Sequence, residues 1–176
     1  MVKTNVKRSP VVCDAGPVIH LDELGCLWLL QDFKEILLPH TVWKEISLYR
    51  PESLDKPRIP FIIRPCASPV DEQLITMCRM FSLHPGEIDA LAHMKQNPQA
   101  ILLTDDAAAR LVALRMGFNV HGTIGILIRS IRRGQMKPED VVDIIAQIPV
   151  ISTLHIKPSL LEEISHEISV KFSVNR

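Results

Sequence analysis

Short apolar runs alternate along this chain with longer stretches whose apolar residues fall three and four apart. The runs "PVVCD", "EILLP", "FIIRP" and "AILLT" predict short buried strands, and "FNVHG" a short strand or turn. They end at Asp14, Pro39, Pro65, Thr104 and Gly122. "AGPVIHLDELGCLWLL" follows the first run with helical spacing, and Gly16-Pro17 marks a turn or helix start. "HTVWKEI" predicts a helix with Thr41 as a cap and Glu45 in its second turn. Residues 50–60 carry three prolines and several charges and predict a loop.

Helical spacing returns over 70–81 through Val70, Leu74, Met77 and Met80 or Phe81. "HPGEIDALAHMKQ" starts a helix, with Pro85 in its first turn and acids soon after. "DDAAARLVALRMG" is the next, stopped at Gly117. "TIGILIRSIRRG" puts Ile124, Leu127, Ile128 and Ile131 on one face. Arg129, Arg132 and Arg133 fall on another. "KPEDVVDIIAQIP" is bracketed by Pro138 and Pro149. In the tail, "SLLEEISHEI" reads as an amphipathic helix and "SVKFSV" alternates as a strand would.

Strand alternating with helix predicts an α/β fold, with a central parallel sheet between helices on both faces. The 176 residues suit one domain, with residues 150–176 as an addition that docks on the core or pairs with another chain. No apolar run reaches the roughly 18 residues that span a bilayer. The basic start "MVKTNVKRSP" lacks the apolar core of a signal peptide, so a cytoplasmic protein without membrane contact is expected. Cys13, Cys26, Cys66 and Cys78 form no C-x-x-C pair, and the histidines are scattered, so neither disulfides nor a zinc site is predicted. Net charge is zero, yet Ala107 to Lys137 holds no acid and carries Arg110, Arg115, Arg129, Arg132, Arg133 and Lys137. That segregation is compatible with a polyanion site beside an acidic one.

Ligands of parallel sheets bind outside the carboxyl ends of the strands. Asp14 and Asp105 both follow strands and are expected at that edge. Glu45, Glu87 and Asp89 lie on or at the start of helices, and the arrangement allows them to join. Several carboxylates in one small volume repel, so either their pKa values rise or a cation binds. Oxygen ligands without His or Cys select magnesium or manganese. Such ions activate water and stabilise a leaving oxyanion, the chemistry of phosphodiester hydrolysis. Plain structural roles compete at each position. Asp105 or Asp106 fits a helix cap, Glu45 a solvated helix residue, and Glu87 or Asp89 a partner of the helix dipole. Asp14 ends an apolar strand before Ala-Gly-Pro, where no structural need for a charge is evident. The arginine face fits salt bridges as well as a nucleic-acid contact.

The ordered set "VVCDAGPVIHLDELGCLWLL", "ILLPHTVWKEI", "HPGEIDALA", "ILLTDDAAARLVALRMGFNVHGTIGILI" and "GQMKPEDV" resembles PIN-domain proteins. It is similar in particular to the short prokaryotic ones related to VapC-type toxins. The resemblance covers roughly residues 10–148. It divides the chain into a PIN-like domain over 1–149 and a C-terminal extension over 150–176. It implies a three-layer PIN fold and a magnesium- or manganese-dependent endoribonuclease cutting single-stranded RNA. The implied acids are Asp14, Glu45, the acid at Glu87 or Asp89, and Asp105 or Asp106. Glu87 and Asp89 are two apart on a helix, about 200° around it, so both do not point at one metal. Thr104 is implied as a support for an acid or a water. Arg110, Arg129, Arg132 and Arg133 are candidates for the RNA backbone. The resemblance also implies a toxin–antitoxin pair with a cognate antitoxin, and a homodimer, with the tail supporting the dimer or covering the antitoxin groove.

Other acidic α/β folds fit less well. A receiver domain needs adjacent acids after the first strand and an acceptor aspartate after the third, which "FIIRP" does not supply. A haloacid-dehalogenase-type phosphatase needs Asp-x-Asp, but position 16 is glycine. "DAGPVIHLDELG" is not a dinucleotide-binding G-x-G-x-x-G. The alternative that stays open is a non-catalytic PIN-fold module that binds nucleic acid or protein.

Overall fold

The computed structural model describes residues 10–67 and 71–173. The basic start before Pro10, Val70 and the last residue of "SVKFSV" lie outside the described residues. Among the described residues five strands form one sheet: β1 (Val11–Cys13), β2 (Ile36–Pro39), β3 (Phe61–Arg64), β4 (Ile101–Leu103) and β5 (Asn119–His121). Their order is β3-β2-β1-β4-β5, and every pairing is parallel. The helices are α1 (Ala15–Glu23), α2 (His40–Tyr49), α3 (Pro51–Leu54), α4 (Glu72–Met80), α5 (Pro85–Gln96), α6 (Ala107–Arg115), α7 (Thr123–Arg132), α8 (Pro138–Ile151) and α9 (Pro158–Ser173).

Strand alternation sends each apolar run to two cores. Val11, Cys13, Ile36, Leu38 and Leu103 meet α1, α7, α8 and α9 on one face. Val12, Leu37, Leu102 and Val120 meet α4, α5 and α6 on the other. Both faces of the sheet are thus covered by helices, the expected three-layer α/β architecture. The buried thiols Cys13, Cys26 and Cys78 are free, and Cys66 is free and exposed. Among the described residues, no helix is long and apolar enough to cross a membrane.

Several local patterns depart from the sequence reading. Residues 50–60, read as a loop, include the short helix α3. Helix α8 runs through Pro149 to Ile151 instead of stopping at that proline. Thr41 lies inside α2, which starts at His40, and does not cap it. The spacing through "AGPVIHLDELGCLWLL" runs on without a break, but Gly25 takes φ +66° and ends the helix. Leu27–Asp32 then form a 3-10 helix. The alternation of "SVKFSV" predicts a strand, yet α9 continues to Ser173. Helical spacing explains why: Leu161, Ile164, Ile168 and Phe172 all pack against the core that holds β1. Their burial outweighs the β preference of Val170 and Phe172.

Sheet topology sets the site. The chain leaves β1 towards β2 on one side and returns to β4 on the other, so β1 and β4 flank the switch point. A crevice opens there at the carboxyl ends of the strands. Asp14 and Thr104 are the residues that follow those two strands.

Candidate active site

Asp14 is held at that crevice by its backbone, whose N–H donates to the Leu103 carbonyl at 2.9 Å. The residue precedes α1 but its side chain makes no cap to it. Instead the carboxylate accepts from the Thr104 hydroxyl at 2.9 Å. Asp14 is only 7% exposed. Desolvation pushes its carboxyl from the ordinary 3.8 up to about 7, partly offset by the Thr104 hydrogen bond. Glu87 and Glu45 push it further in the same direction.

Those two acids arrive on α5 and α2, Glu87 in the first turn of its helix and Glu45 near the middle of its own. Gly86 lies between them and Asp14: a Cβ there would sit 3.3 Å from Glu45 Oε2 and 3.9 Å from Asp14 Oδ1. The absence of a side chain leaves room for the three carboxylates around one backbone. Glu87 accepts from the His84 backbone N–H at 2.8 Å, closing the start of α5. Its carboxyl is raised by desolvation and by Asp106. Burial also raises Glu45, against a lowering influence from His84. Asp89 turns elsewhere. It is 4% exposed and accepts from the Thr41 hydroxyl and the Ala67 N–H, both at 2.7 Å. His93 Nε2 lies 3.7 Å away. Asp89 thus ties α5 to α2 and to the segment after β3.

The adjacent aspartates Asp105 and Asp106 do different work. Asp106 caps α6, accepting from the Ala109 N–H at 2.7 Å, while its own N–H donates to Thr104 Oγ1 at 3.2 Å. Asp105 faces α7. It accepts from the Thr123 N–H at 2.7 Å, the Thr123 hydroxyl at 2.6 Å and His20 Nδ1 at 2.8 Å. A Cβ on Gly122 would fall 2.5 Å from Asp105 Oδ1, so a side chain there would have to push the Asp105 carboxylate out of its place. The like charges are separated because each is spent on a different helix start.

A cavity of about 670 Å³ brings Asp14, Glu45, Glu87, Asp105 and Asp106 together. Asp89 is not in its lining. His20, Lys44, His84, Tyr49 and His155 are, and the sequence reading did not single them out. His20 carried no local signal, since its role depends on Asp105 far along the chain. His155 belongs to the tail, where the sequence shows no chemical motif. Among the described residues, no three His, Cys, Asp or Glu side chains are drawn close enough to form a ready ion cage. The donor set nonetheless fits a hard cation. Asp14 is a buried carboxylate whose hydrogen-bonding side-chain partner is a neutral hydroxyl. Other carboxylates flank it, and oxygen donors of this kind suit magnesium or manganese.

The arginine face divides. Arg129 and Arg133 hold the buried Asp32 at 2.6 and 2.8 Å, and Arg129 lies 5.2 Å over the Phe33 ring. These two thus fasten α7 to the 3-10 helix. Arg110 and Arg132 are exposed.

The family model of DUF3368, a PIN domain, matches residues 10–169. That span includes α9 up to its last turn. No curated protein and no solved structure matches the chain. PIN domains are generally nucleases, and PIN nucleases usually use divalent metals. With this match over most of its length, the chain belongs to the PIN-domain family.

Proposed function

We propose that this PIN domain is a cytoplasmic, divalent-metal-dependent endoribonuclease that hydrolyses phosphodiester bonds in single-stranded RNA. One observation carries the reading: Asp14 is a buried carboxylate at the switch point, flanked by Glu45 and Glu87, with its carboxyl held up at about 7. Nothing in the packing of a strand end calls for that charge, whereas a magnesium or manganese ion does. Asp14, Glu87 and Asp106 are the residues that would hold the ion, with Glu45 completing the set. Asp105, engaged three times by Thr123 and His20, keeps the start of α7 at the cavity. Asp89 braces α5 from behind.

A bound divalent ion supplies positive charge against a phosphate oxygen and lowers the pKa of water. The side chains do the rest. Thr104 keeps the Asp14 carboxylate turned into the crevice. Glu45 stands at the mouth, where its raised pKa suits it to accept a proton from water. Lys44, beside it in the lining, offers a charge to the RNA backbone. The likeness to VapC-type toxins supports a toxin-like role, with an antitoxin protein as partner and a homodimer as the working form.

Cleavage of a mixed RNA pool tests the reading, in magnesium, in manganese and in chelator, with the Asp14→Asn protein purified in parallel. Metal-dependent cutting by the wild type alone is expected. RNA binding in chelator with no cutting in either metal contradicts it and leaves a binding module.

A further inference from the structure

The cavity is larger than the carboxylates need, and its far wall is of a different kind. Beyond Glu45 it is lined by Leu48 and Tyr49 of α2 and by Leu154 and His155. Leu48 is 74% and Tyr49 67% exposed. Large apolar and aromatic groups held out in water beside an acidic pocket call for an occupant.

This wall is fixed on both sides by one residue. Glu23, at the end of α1, accepts from the Ser152 hydroxyl and the Thr153 N–H, both at 2.8 Å. The same carboxylate takes Arg50, the residue after Tyr49, at 3.4 Å. The Ser152 hydroxyl in turn accepts from the Leu154 N–H at 3.1 Å. Glu23 therefore clasps the end of α2 to the strap between α8 and α9. Leu154 anchors the strap in the core, and His155 stays exposed at the cavity.

The spacing along α2 identifies what the wall receives. Glu45 and Tyr49 are four residues apart, on one helix face and about 6 Å from each other along the axis. Lys44 and Leu48 repeat the relation alongside. Tyr49 thus lines the same cavity as the acids, one helical turn along from Glu45, a separation comparable to that between a phosphate and a neighbouring base. Aromatic rings take unpaired bases by stacking, whatever the base, and paired bases cannot turn out to meet them.

We propose that Tyr49, with Leu48 and His155, forms a stacking subsite for one unpaired nucleobase next to the bond that is cut. The subsite rests on the ribonuclease reading and adds to it a reason for single-stranded substrate. It also gives the tail a part in the site, because the strap lines the same cavity beside α2.

The test compares binding of a short labelled oligoadenylate with binding of a sugar–phosphate oligomer of equal length that lacks bases. Calcium is present in both as the compensating cation. Wild type is expected to bind the base-bearing strand about tenfold or more tightly than the abasic one. Tyr49→Ala is expected to bring the two to parity, and Tyr49→Phe to keep the difference. Parity in the wild type, or a difference that survives Tyr49→Ala, overturns the subsite. The same preparations are assayed for cutting of an RNA pool in manganese. If cutting that needs Asp14 persists while base discrimination is absent, the subsite alone is wrong. Discrimination that depends on Tyr49 without any metal-dependent cutting overturns the ribonuclease reading and the position assigned to the base with it.

Discussion

The Thr104 hydroxyl donates to the Asp14 carboxylate at 2.9 Å, across the gap between the ends of β4 and β1. These residues are far apart in sequence, and the parallel pairing of Cys13 with Leu103 brings them together. The contact turns a general property of the fold, the crevice at the switch point, into one oriented acid.

Stability should depend on pH through that acid. Asp14 titrates at about 7 in the folded chain against an ordinary 3.8. The folded state therefore binds the proton more tightly than the unfolded state. Its stabilising contribution is complete below the unfolded value and is lost as pH rises through about 7. In chelator, the melting temperature of the wild type is expected to fall between about pH 4 and pH 8. Asp14→Asn should remove most of that fall and be the more stable protein at the high end, by an order of a few kcal/mol. Thermal melts of both proteins across that range check it, and parallel curves would contradict it.

Glu87 and Asp89 should separate activity from stability. Glu87→Gln keeps an oxygen for the His84 N–H, so its stability should stay within about 0.5 kcal/mol. RNA cutting should drop about a hundredfold or more. Asp89→Asn puts an amide where two donors point, and should cost about 1–3 kcal/mol with cutting largely retained below the melt. Denaturant melts and initial rates on the same samples decide the point.

The neighbouring aspartates give a second contrast. Asparagine caps helices about as well as aspartate, so Asp106→Asn should leave the melt within about 0.5 kcal/mol while lowering activity through lost charge. Asp105→Asn must set an amide against Thr123 or His20. It should destabilise by about 1–3 kcal/mol. Equal melts for the two variants would contradict these assignments.

Arginines should differ in their response to salt. Each phosphate contact to a single strand contributes about 0.7 to the slope of log affinity against log salt. Arg110→Ala and Arg132→Ala should each lower that slope by about this amount. Arg129 and Arg133 already hold Asp32. Replacing them should leave the slope unchanged, and Asp32→Ala should cost about 1–3 kcal/mol of stability. Binding of labelled RNA over a salt series, with melts of the same variants, reads both effects.

The sheet and its covering helices were legible because apolar runs and helical spacing follow directly from burial. "AILLT" and "PVVCD" could hardly be anything but inner strands. The tail was harder to read, since "SVKFSV" satisfies period two and, through Ile168 and Phe172, a helical face as well. Only packing against the core decides between them. The acids at strand ends could be placed at one edge from chain order. Which of a pair faces the cavity could not, because Thr41, Ala67 and Thr123, the partners that turn Asp89 and Asp105, come from distant elements. The arginines posed the same problem, their common partner Asp32 lying about a hundred residues earlier. His20, Tyr49 and His155 had no pattern of their own and become visible only as walls of one cavity.

The central claim is that a divalent cation balances the buried charge of Asp14. Calorimetric titration of the protein with manganese, at about pH 6 and about pH 8, tests it most directly. At the lower pH the Asp14 carboxyl is largely protonated, so binding should release a proton and its heat should change with the ionisation enthalpy of the buffer. At the higher pH that dependence should vanish, and Asp14→Asn should bind manganese at least about tenfold more weakly. Equal manganese affinity in the wild type and Asp14→Asn, or no manganese binding at all, would contradict the account.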